Sequence, residues 1–114
     1  MDSNLIDSLY TRTIVNGGGT FTRDGQDVTH GYAVGIVDGT YASCRARDIV
    51  SFDDAVRRVI RNYPFAYIGT WLDGDTIHVD PAMVVVNEAE ALRLARRNHQ
   101  LAYYIIHEQR EVRL

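Results

Sequence analysis

The sequence predicts an α+β fold, a two-layer sandwich with one mixed, mostly antiparallel sheet and two helices on one of its faces, built from a ββα repeat. Three observations predict it. YIGTWLDGDTIHVD (Tyr67 to Asp80) spells a hairpin, because Asp73-Gly74 supplies positive backbone angles between two runs rich in β-branched and aromatic residues. SFDDAV (Ser51 to Val56) and NEAEAL (Asn87 to Leu92) each open an amphipathic stripe behind an N-capping side chain. YAVGIVDGT (Tyr32 to Thr40) aligns with YIGTWLDGDT (Tyr67 to Thr76) at an offset of about 35 residues, and a shortened third copy begins at AYYIIH (Ala102 to His107).

One domain of 114 residues follows: an irregular N-terminal strand and glycine-rich loop over 1–30, ββα units over 31–65 and 66–99, and a closing hairpin over 100–114. SLYTRTIV (Ser8 to Val15) reads as a strand and NGGGT (Asn16 to Thr20) breaks it. The triple glycine lacks the Lys-Ser/Thr pair of a phosphate loop and the spacing of a dinucleotide fingerprint, so it reads as a turn or hinge. Asp24-Gly25 marks another turn.

In the first expected helix Phe52, Ala55, Val56, Val59, Ile60 and Tyr63 share one stripe, with Ser51 as N-cap and Pro64 as terminator. The second starts at Asn87, buries Ala91, Leu92, Leu94 and Ala95, and ends near Asn98. Arg57, Arg58, Arg61, Arg93, Arg96 and Arg97 face outward, where Asp53 and Asp54 pair with Arg57 and Arg58 at helical spacing.

The hairpin register sets the site. With Asp73-Gly74 as the loop, Leu72 faces Asp75, Thr70 faces Ile77 and Ile68 faces Val79. Ile68, Thr70, Leu72, Ile77 and Val79 then meet the helices, while Tyr67, Trp71, Thr76, His78 and Asp80 occupy the other surface. Carried through the repeat, that second surface gains Tyr32, Val34, Ile36, Tyr103, Ile105 and His107. So apolar a face is either core beneath a folded-back N-terminal segment or a docking surface.

Composition restricts the function classes. With 46% hydrophobic and 24% charged residues and a formal net charge of -3, the chain is an ordinary folded domain and neither a basic nucleic-acid coat nor an acidic DNA mimic. All 12 basic residues are arginine, which reflects a GC-rich coding sequence. The single Cys44 offers neither a disulfide nor a zinc site. No motif calls for a cofactor or metal. MDSNLIDSLY has no signal-peptide pattern, and no apolar run reaches membrane-spanning length, so a cytoplasmic protein without membrane contact is expected.

The runs GGGTFT, GYAVGI, GTWLDGDTIHVDP and ALRLARRNHQLAYYI resemble those of small bacteriophage accessory proteins of GC-rich bacterial hosts, over most of the chain from Gly17 onward. The resemblance implies a single-domain protein that works in the host cytoplasm by binding and blocking a host protein, antiviral defence machinery included. It assigns no catalytic or binding residues.

The leading expectation is therefore a binding module acting by protein contact through the aromatic sheet face. Tyr67, Trp71, His78, Asp80, Tyr103 and His107 are its candidate partner-binding residues, and a host protein or a second copy is the partner. Two alternatives use the same face: single-stranded nucleic-acid binding on Tyr32, Tyr67 and Tyr103, and a small hydrolase or metal-dependent enzyme using His78, Asp80 and His107.

Overall fold

A computed structural model describes residues 1–114. Three helices, α1 (Ser3–Asn16), α2 (Ile49–Asn62) and α3 (Glu88–Arg97), accompany seven strands: β1 (Gly18–Phe21), β2 (Tyr32–Gly35), β3 (Ala42–Arg45), β4 (Tyr67–Asp73), β5 (Thr76–Val85), β6 (Ala102–Ile105) and β7 (Arg110–Arg113). They form one curled sheet of order β1-β4-β5-β2-β6-β7, with β3 also on β5 and every pairing antiparallel. The fold is α+β as expected, with no parallel pair. No helix is long and apolar enough to cross a membrane.

The first segment departs from expectation. Ser8 to Val15 is helix, not strand, although Thr11, Thr13, Ile14 and Val15 favour strand locally. Packing overrides that preference: Ile6, Leu9 and Thr13 recur at helical spacing and are fully buried. Both ends are capped. Asp2 accepts the Leu5 N–H at 3.0 Å, and Gly17, at φ +81, closes the last turn with its N–H on the Thr13 carbonyl. The glycine run thus follows the carbonyl end of a helix, the wrong pole for a phosphate.

α2 begins earlier than Ser51, because Asp48 is its cap and accepts both the Ser51 N–H and hydroxyl. Phe52, Ala55, Val56 and Val59 are buried. α3 starts behind Asn87, which accepts the Glu90 N–H at 2.8 Å, and ends at Asn98. The outward arginines pair as spacing implies, Arg57 with Asp53 at 2.7 Å and Arg58 with Asp54 at 3.1 Å.

The expected ββα repeat is not what pairs the first two strands. β2 and β3 do not hydrogen-bond to each other; both lie along the same edge of the ten-residue β5, β2 opposite Ala82–Val85 and β3 opposite Thr76–Val79. The Asp38-Gly39 turn belongs to the loop that separates them, with Gly39 at φ +75. β4 and β5 do form the hairpin, but Asp73 pairs with Thr76, so Gly74-Asp75 is the loop. Gly74 at φ +59 in the first loop position marks a type II′ turn. Relative to the expected register, partners shift by two residues: Ile77 faces Leu72 and Val79 faces Thr70. A shift of two keeps every side chain on its expected face.

The helices pack against Ile68, Ile77 and Val79 in one core with Ile6, Leu9, Phe52 and Val56. A smaller core joins Val34, Tyr103 and Ile105 to Ala91 and Ala95 of α3. Inside the larger core the Thr13 and Thr70 hydroxyls, both buried, bond to each other at 2.8 Å and tie α1 to β4.

Candidate functional site

Alternation along the strands puts Gly18, Ala33, Gly35, Gly69, Ala82 and Ala102 on the face opposite the helices. Small side chains let the sheet curl around an open space, a cleft of about 550 Å³ reached by all six strands of the main order. Such a volume suits a preformed ligand site, for which about 300–1,000 Å³ is usual. Trp71, Tyr104, Asp80, Gln100 and Glu111 border it.

Each border group is placed by a local cause. Trp71 stands opposite Gly18, whose lack of a side chain leaves the indole 47% exposed at the cleft edge. Gln100 lies over Gly35, where a Cβ would sit 2.4 Å from its Oε1. Its Nε2 donates to the Val37 and Asn98 carbonyls, and Asn98 donates to the Gly35 carbonyl at 3.1 Å, so the end of α3 holds the loop after β2. Burial pushes the Tyr104 phenol up, and it remains neutral.

Asp80 is the chemically unusual member. Its Oδ1 accepts the Tyr41 N–H at 2.7 Å, and no arginine reaches it in any of the ion pairs. Burial raises its carboxyl above the usual range, against the opposing pull of the Tyr41 N–H and the nearby His78. An acid with a raised pKa facing a cleft is a mark of a functional site.

The candidate residues divide between the two faces. Tyr67, Trp71, His78 and Asp80 share the cleft side, with Trp71 directly opposite His78 and Ser43 beyond it on β3. Tyr103 does not. It is 5% exposed, turned toward α3, and its hydroxyl donates to Glu88 at 2.6 Å. Tyr32, Val34 and Ile105 face the helices with it, while Ala33, Ala102 and Tyr104 take the open side. Aligning the strands as repeats misplaces these by one residue, and a slip of one reverses both faces.

His107 lies beyond β6 in a short 3-10 turn, stacked on His30 at 5.9 Å between ring centroids, and accepts the Gly31 N–H at 3.3 Å. It therefore belongs to a different part of the sheet from His78 and Asp80, and no group of three metal-ligating side chains forms. Asp80 makes no hydrogen bond to His78, its Oδ1 accepting from Tyr41 instead, and His78 Nδ1 is buried without a partner. With Tyr32 and Tyr103 on the helix side, no row of three tyrosines spans the open face. The N-terminal segment does not cover that face as extra core: α1 packs among the helices, and Asn16 to Thr20 form one wall of the cleft.

Sequence reasoning missed Tyr104, Gln100 and the glycine and alanine floor. A signal was present in AVG, where bulky Val34 stands between small Ala33 and Gly35 and belongs under the helices; AYYI, with Tyr103 and Tyr104 adjacent, carries no such alternation. Comparison with known proteins finds no matching family model, no matching curated protein and no matching solved structure.

Proposed function

We propose that this protein is a binding module that acts by contact with a protein partner through its open sheet face. The observation that carries the reading is the cleft of about 550 Å³ with half-exposed Trp71 on its border. Protein contacts draw most of their energy from a few aromatic or arginine anchors seated in concave, desolvated pockets. A protruding side chain of the partner enters the cleft, and Trp71 and Tyr67 supply amphipathic area beside it. The phage resemblance gives this contact a use, the blocking of a host protein in the host cytoplasm. Nucleic acid is disfavoured because Asp80 and Glu111 are the charged groups of the cleft and no cation lines it.

The test is affinity capture from a nuclease-treated bacterial lysate with native chain and Trp71→Ala, followed by reconstitution from purified components. The reading expects one protein, retained by the native chain and lost with a Trp71→Ala variant that melts as native. Equal retention by both chains would contradict it.

A further inference from the structure

We infer that the side chain received by the cleft is an arginine of the partner protein, with Asp80 as its counter-charge and Trp71, on the neighbouring strand, as its wall. The inference rests on the binding reading above and specifies its chemistry.

Charge complementarity comes first. Among the residues bordering the cleft, Asp80 and Glu111 carry charge and none is basic, although the chain holds 12 arginines. Glu111 has its own arginine, Arg113, at 3.1 Å. Asp80 has none: one oxygen is committed to the Tyr41 N–H, no ion pair reaches the other, and the nearby His78 makes no hydrogen bond to it. A half-buried carboxylate without a cation is a cost that a cationic guest removes.

The wall discriminates among cations. Guanidinium is planar, stacks on aromatic rings and sheds water more readily than an ammonium group, so Trp71, diagonal to Asp80 across the β4–β5 pair, favours arginine over lysine. Its fork donates to a carboxylate oxygen and to neighbouring acceptors together. Depth is supplied by the floor, because Gly69 and Ala82 remove the side chains that would fill it. Gly69 lies directly opposite Asp80, leaving the approach to the carboxylate open.

Trp71 is the single tryptophan, so emission excited selectively at the indole, away from the tyrosines, reports this cleft. The experiment titrates the full chain with the blocked tripeptide Gly-Arg-Gly, and with the same peptide carrying citrulline or lysine in place of arginine. Asp80→Asn is titrated in parallel; its amide oxygen can still accept the Tyr41 N–H, and a thermal melt checks its fold.

The proposal expects a saturable change in Trp71 emission with the arginine peptide at a Kd on the order of 1 mM or tighter. Binding should weaken by about tenfold or more with citrulline and in Asp80→Asn, with lysine between. Equal binding of citrulline, indifference to Asp80→Asn, or no saturation would each overturn it. If the peptides fail while Trp71-dependent capture of a protein persists, the arginine assignment falls and the contact reading stands. If the peptides bind as expected but no protein is captured, the arginine chemistry stands and the contact reading falls. A native dimer that Asp80→Asn dissociates would assign the arginine to a second copy and overturn the foreign partner.

Discussion

Asp80 accepts the backbone N–H of Tyr41 at 2.7 Å, and that bond brings the chain back onto β5 after the loop that separates β2 from β3. The same carboxylate borders the open cleft. One residue thus serves the fold through one oxygen and leaves the other for a guest.

That double use has a pH signature. Burial raises the Asp80 carboxyl, so the folded chain holds its proton more tightly than the unfolded chain does. Between the ordinary and the raised pKa the folded state binds more protons, so this group's contribution lowers stability as pH climbs through that window and stays unfavourable above it. Asp80→Asn is expected to raise Tm at pH 7 by a few degrees while weakening binding. The gain should shrink as acid brings the native carboxyl to its protonated form. A variant that melts below the native chain at pH 7 would show that the charge is structural.

The Thr13–Thr70 pair tests how α1 is held. Thr13→Val leaves the buried Thr70 hydroxyl without its partner and is expected to cost about 1–3 kcal/mol in urea melts. Thr70→Val should behave alike. The double variant removes both groups and should recover most of that loss. Additive losses would show that the hydroxyl bond is not what couples helix to strand.

Trp71 and Tyr103 should separate site from core. Tyr103→Ala removes a buried ring and its bond to Glu88, and a loss of about 3–5 kcal/mol is expected. Trp71→Ala, at a position 47% exposed, should cost about 1 kcal/mol or less and still abolish partner capture. Comparable losses of stability would place Trp71 in the core.

Much of the fold is legible in the sequence, and the failures have identifiable causes. The α2 and α3 stripes, their acid-base pairs and the β4–β5 hairpin rest on local signals that tertiary contacts do not oppose. α1 was obscured because its β-branched residues favour strand, and only burial of Ile6, Leu9 and Thr13 decides the contest. Trp71, His78 and Asp80 were placed on their face despite the register shift, because two residues restore the alternation. Tyr103 was not, because repeat alignment offers no defence against a slip of one. The cleft itself has no signature among chemically reactive residues, since glycine and alanine create it by what they lack.

The central claim is that the open face, and not the arginine-bearing helix face, receives the partner. Amide hydrogen exchange of the chain alone and with its captured partner tests this most directly. The account predicts added protection in β4 at Gly69 to Trp71, in β5 at Asp80 to Ala82 and in β2 at Ala33 to Gly35. Protection confined to α2 and α3, with these strands unchanged, would contradict it.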